Sequence, residues 1–148
     1  MEAQPKQIER YVTPDGKVPF SDWLNSLRDR RVRVRIKLRL DRIEQGNLGD
    51  YRSAKSVSYH PYLIESLKDL EEAAAYIEAA LEEGEPKLLQ LVLRNVTEAY
   101  KEMDKLSEQA ILHHEKLDKL LSDERDSEIY SLVALLDALG FKLAIAPK

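Results

Sequence analysis

Few side chains here are of a kind that does chemistry, and they are unevenly placed. His60, His113 and His114 are the three histidines, and there is no cysteine. Thiol nucleophiles, disulfides and cysteine-based zinc sites are therefore excluded. His113 and His114 are neighbours, so on a helix they diverge by about 100° and cannot share one metal ion. No further ligands accompany them, so neither a metal nor a cofactor is expected. His60 precedes Pro61, and a structural role is favoured there over a catalytic one. The densest chemical feature is cationic. Arg31, Arg35, Arg39 and Arg42 recur at helical spacing, and Arg33 and Lys37 widen the face they make. Such a face suits phosphates, an acidic partner protein or plain water.

The elements that must carry these residues are legible from periodicity. Val32, Ile36, Leu40 and Ile43 run one residue ahead of the arginines. They are expected to be the buried stripe of a helix capped by Asp29 and running to about Glu44, where Gly46-Asn47 stops it. Upstream, residues 8–12 (IERYV) read as a strand and Thr13-Pro14-Asp15-Gly16 as a turn. Pro19 or Ser21 opens a helix with Phe20, Trp23, Leu24 and Leu27 on one face. Residues 50–57 (DYRSAKSV) read as a strand or a linker, and Pro61 is expected to interrupt regular structure.

A helix follows over residues 69–83, with Ala73, Ala74, Ile77, Ala80 and Leu81 buried and Gly84 as its stop. Pro86 begins another, carrying Leu88, Leu89, Val92, Leu93, Val96 and Tyr100. Residues 103–122 are helical in pattern, and residues 123–126 form an acidic loop. Asp126 or Ser127 caps a helix over residues 128–139, with Ile129, Leu132, Val133, Leu136 and Leu139 apolar and Gly140 at its end. Residues 141–145 alternate and read as a final strand. Short strands are thus expected at residues 8–12, near 51–53 and at 141–145.

At 148 residues and 17.1 kDa the chain holds one ordinary domain or two small ones. Hydrophobic residues make up 43%, enough for a core, and charged residues 34%. No apolar run reaches membrane-span length, and the start (MEAQPKQIER) lacks a signal-peptide apolar region. A cytoplasmic protein with no membrane contact is expected. Residues 1–55 hold 13 Lys/Arg against 8 Asp/Glu, a net charge of +5, and residues 56–148 hold 10 against 19, a net charge of −9. Two modules of opposite charge, 1–55 and 56–148, are implied, and they are able to attract one another.

Particular residues carry a resemblance to toxin–antitoxin addiction modules. Phe20-Ser21-Asp22-Trp23-Leu24, Leu27 with Asp29-Arg30, Arg35-Ile36 with Arg39-Leu40, and Gly46-Asn47-Leu48-Gly49-Asp50 resemble the N-terminal half of RelE/HigB-like toxins. That family folds as a strand, two helices and a meander of further strands, and the meander has no counterpart here after Tyr51. Residues 58–148 resemble HigA-like antitoxins through Tyr59-His60, residues 62–69 (YLIESLKD), residues 73–84 (AAAYIEAALEEG) and residues 135–143 (LLDALGFKL). The implied fold is mainly α: a phage-repressor-like helix-turn-helix domain preceded by a partial RelE-like β-α-α fragment. The implied history is an in-frame fusion of a truncated toxin to its antitoxin.

The resemblance also sets expectations for function. Toxins of this kind cut messenger RNA with residues on the late strands, which are missing. No catalytic position carries over, and a basic helix alone neither activates a 2′-hydroxyl nor stabilises a leaving group. The chain is read as a non-enzyme; residual ribonuclease activity is a weak third reading, tested by cleavage of translated messenger RNA. Antitoxins of this kind are dimeric and repress their own operon, and a cognate toxin is a possible further partner. By alignment the helix-turn-helix lies in residues 105–122, with Leu106–Ala110 as first helix and a turn at Ile111-Leu112. The recognition helix then opens at His113, and Gln109, His113, His114, Lys116 and Lys119 face operator DNA.

Ile111 stands where the family has glycine, and a β-branched residue at positive φ is an outlier. Asp118 stands where it has an aromatic residue. Two functions therefore stand side by side. One is a DNA-binding autorepressor fused to an inactive toxin remnant. The other is a decayed module without DNA binding, acting through protein–protein contact or as a structural homodimer. An unbroken helix through Ile111 favours the second.

Overall fold

The computed structural model describes residues 7–45, 56–122 and 128–148. The chain is mainly helical. Its elements are β1 (Glu9–Tyr11), α1 (Pro19–Ser26), α2 (Arg30–Gln45), β2 (Ser56–Ser58), α3 (Tyr59–Ser66), α4 (Leu70–Glu83), α5 (Pro86–Glu102), α6 (Glu108–Ser122) and α7 (Glu128–Ala138). No helix among the described residues is long and apolar enough to cross a membrane.

Local chemistry explains most of the boundaries. Gly16 takes positive φ in the turn after β1, where the N–H of Gly16 donates to the carbonyl of Thr13 at 2.9 Å. Pro19 begins α1, a position where the missing N–H has no helical partner to lose. Asp29 caps α2, accepting from the N–H of Arg31 at 2.9 Å. Asp69 caps α4, its Oδ1 accepting from the N–H groups of Glu71 at 3.0 Å and Glu72 at 2.9 Å. Gly84 ends α4 in the left-handed region at φ 72°.

The strands β1 and β2 form an antiparallel two-stranded ladder with Arg10 opposite Val57. This ladder joins the basic first segment to the acidic second one. A single core crosses the same boundary: Val34 and Leu38 of α2 lie with Leu63, Ile64, Tyr76, Leu88 and Val92. The two halves by charge thus share one interior.

Several expectations from the sequence are corrected. The stripe Val32, Ile36, Leu40 and Ile43 does not form the buried side of α2. Val32 is 44% exposed and the other three are half-buried, while Val34 and Leu38 are buried, with Lys37 and Asp41 beside them. Both stripes have helical spacing, and contact with α4 selects between them. Pro61 does not interrupt structure; it sits in the first turn of α3, where its missing N–H costs no intrahelical bond.

Residues 141–145 form no ladder, because no strand lies beside them among the described residues. They run as an irregular strap whose Leu143 and Ile145 still pack inward, which keeps the alternation without the sheet. The expected strand near 51–53, the Gly46-Asn47 stop and the acidic loop at 123–126 lie outside the described residues. In α7 no side chain is buried, and Leu132, Leu135 and Leu139 are half or more exposed.

Candidate functional site

The largest constellation of charge lies along the seam where α2 meets α4. Asp69 and Gly84 fix the two ends of α4, which sets where its carboxylates stand along the basic helix. Glu72, only 8% exposed, is the centre. Its Oε1 accepts from the Nε of Arg33 at 2.8 Å, and its Oε2 accepts from the Nζ of Lys37 at 3.0 Å. Arg33 and Lys37 are four residues apart, so one carboxylate bridges two successive turns of α2. Lys37 is 2% exposed. Burial lowers its pKa, and the bond to Glu72 opposes that shift.

The pairing continues along the helix. Arg30 meets Glu71, Arg35 lies 3.6 Å from Glu82, and Arg42 reaches Glu83 at 2.5 Å and Glu85 at 2.7 Å. The strap adds Lys142, at 3.3 Å from Glu78 and 2.5 Å from Glu82. The hydrogen bond from Lys142 is the main cause of the lowered pKa of Glu82.

Beneath the seam is a buried polar chain that the sequence reading missed. Asp41 is fully buried, and its Oδ2 accepts a hydrogen bond from the hydroxyl of Tyr76. That hydroxyl in turn accepts from the Nδ2 of Asn95 at 3.0 Å. The Oδ1 of Asp41 has no partner. Burial pushes the Asp41 carboxyl up to about 7, partly opposed by the Tyr76 bond. Its signal is present in the sequence: Val34, Leu38 and Asp41 fall at four- and three-residue spacing, as regular as the stripe of Val32, Ile36, Leu40 and Ile43.

At the other end, Arg10 clamps β1 to α1 and α3. Its Nη1 donates to the Oγ of Ser21 at 2.6 Å, its Nη2 to the carbonyl of Ser58 at 3.0 Å, and its guanidinium lies 4.8 Å from the Tyr62 ring centre. His60 lies 3.0 Å from Glu98 and ties α3 to α5.

The expected reading head is arranged differently from the alignment. Helix α6 runs unbroken through Ile111 and Leu112, so the turn expected there is absent. The segment holds no glycine or proline, and Ile111 resists positive φ, so the helix propagates. The break falls earlier, at residues 103–107. There Asp104 takes φ 55° and the N–H of Lys105 donates to the carbonyl of Tyr100 at 3.0 Å. A helix running continuously from Met103 is likewise not formed.

On α6, Gln109, His113 and Lys116 share one exposed face, and Lys119 is exposed at its edge. His114 turns to the flank, half-buried, with its Nε2 unpartnered. Asp118 faces away from the Gln109 side. Arg94 grips it at 2.6 and 2.8 Å, which lowers its pKa and offsets its charge.

Of the basic residues, Arg35 and Arg42 meet carboxylates of α4 or the segment just after it. The guanidiniums of Arg31 and Arg39 have no hydrogen bond or ion pair among the described residues. Among the described residues no group of three or more His, Asp or Glu is placed to hold a metal ion. In comparisons with known proteins, no family model, no curated protein and no solved structure matches this chain.

Proposed function

We propose that the chain is a relic toxin–antitoxin-like module whose antitoxin-like half holds a truncated, inactive toxin-like fragment in cis. It acts through protein–protein contact rather than by reading DNA or by catalysis. The observation that carries this reading is the seam itself: Arg30, Arg33, Lys37 and Arg42 of the toxin-like helix are each paired with carboxylates of the acidic half. Cations so engaged are withdrawn from phosphate binding. A homodimer belongs to the same reading, with the exposed stripe of Leu132 and Leu135 on α7 and Leu139 just after it as its contact. Light scattering at micromolar concentration is expected to give twice the chain mass, and a monomer there removes the dimer.

The second reading, a DNA-binding autorepressor, is favoured by one observation. Gln109, His113 and Lys116 project together from α6, which packs on α5 across a tight turn. Against it, Glu108 and Glu115 accompany Lys116 and Lys119 on α6, so the helix gains little from phosphates. Electrophoretic shift with DNA from upstream of the gene separates the two. No shift is expected even at low salt. A sequence-specific shift abolished by Lys116→Ala reverses the order of the readings and restores the operator as partner.

A further inference from the structure

Helix α2 has two apolar faces where an ordinary surface helix has one. The inner face, Val34 and Leu38, is buried on the acidic half. The outer face carries Val32, 44% exposed, with Ile36 and Ile43 half-buried. Between them stands Arg39, whose guanidinium has no hydrogen bond or ion pair among the described residues. A groove of about 380 Å³ runs along this face, lined by Val32 and Ile36 and reaching inward to Leu38, with Arg35 and Arg39 on its rim and Arg42 beside them already held by Glu83 and Glu85. Arg35 contributes weakly to its own chain, through one carboxylate at 3.6 Å.

We propose that this outer groove of α2 docks an acidic amphipathic helix from another protein. The chain displays the matching chemistry on its inner flank, where α4 sets aliphatic side chains against Val34 and Leu38 and lines the arginines with Glu71, Glu72, Glu82 and Glu83. The outer groove repeats that composition, an aliphatic floor edged by guanidiniums, with no described element lying on it. Charge complementarity therefore selects carboxylates beside aliphatic groups at helical spacing. A nucleic acid is disfavoured, since phosphates gain nothing from an aliphatic floor. The inference does not depend on the toxin–antitoxin reading.

The probe is a fluorescein-labelled synthetic peptide with the sequence of residues 70–83, LEEAAAYIEAALEE, titrated with the full chain and followed by anisotropy. Saturable binding is expected, weakened about tenfold by Arg39→Glu and by added salt. Arg39 is exposed and Val32 lies outside the buried core, so Arg39→Glu and Val32→Asp keep the fold, which circular dichroism checks. In ¹⁵N-labelled protein the amides of Val32, Ile36, Arg39 and Ile43 are expected to shift. Absence of saturable binding overturns the proposal, as does equal binding by both variants. Shifts confined to Val34 and Asp41 overturn it too, because the peptide then merely exchanges with α4. Binding of a single-stranded oligoribonucleotide where the peptide fails makes the groove a nucleic-acid surface. Loss of a sedimenting dimer in Arg39→Glu makes its occupant a second copy.

Discussion

Asp41→Asn is expected to stabilise the protein at pH 8 by up to about 4 kcal/mol and to remove most of the pH dependence of its unfolding. Asp41 is fully buried, with one oxygen unpartnered, and burial lifts its pKa from 3.8 to about 7. The folded state therefore keeps a proton that the unfolded chain has already released. Between about pH 4 and pH 7 the folded form binds more protons, so stability is full below pH 4 and falls as pH rises through 7. Above that the loss levels off near three pH units' worth of proton affinity, which sets the figure of about 4 kcal/mol.

Asparagine keeps an acceptor for the Tyr76 hydroxyl and cannot ionise. Urea unfolding between pH 4.5 and 8.5 reads the effect directly. The variant retains a smaller slope of the same sign from Glu44, whose pKa burial also raises. A wild-type stability that is flat or rises over this range rules the account out.

Glu72→Ala is expected to act in the opposite direction, costing about 3–5 kcal/mol. The side chain removed is the shared acceptor for Arg33 and Lys37, and Lys37 is left with its ammonium buried and without its carboxylate. The loss is mostly the penalty for that stranded charge rather than the worth of the pair. Adding Lys37→Met should therefore recover most of it, since an apolar side chain of similar length fits a buried site without desolvation cost. Denaturant titration of wild type, single and double variants forms the test. A double variant as unstable as Glu72→Ala alone shows that Lys37 is not the reason. The charge attraction expected between the two halves is thereby given a location: it concentrates on one buried carboxylate.

The elements that the sequence revealed are those whose limits are local. Asp69 and Gly84 bracket α4, and Pro86 opens α5, because a cap, a left-handed stop and a ring-fixed φ act within a few residues. Failures of the sequence reading share the opposite property. On α2, Val32-Ile36-Ile43 and Val34-Leu38-Asp41 are equally periodic, and the buried side is decided by which one meets Glu72 and Tyr76. Residues 141–145 have strand alternation, yet a strand needs a neighbour, and none lies beside them among the described residues. The break before α6 falls at Asp104 rather than Ile111, an acidic residue being easier to hold at positive φ than a β-branched one.

By itself the amino-acid sequence determined that this chain is helical, that it has no thiol chemistry, and that a basic segment precedes an acidic one. These follow from composition and short-range periodicity. Only the tertiary structure decided that Glu72 and Asp41 lie at the centre of the contact between those segments. Burial and charge pairing depend on which helices touch, and the residues that meet across α2 and α4 stand 35 or more positions apart in the chain.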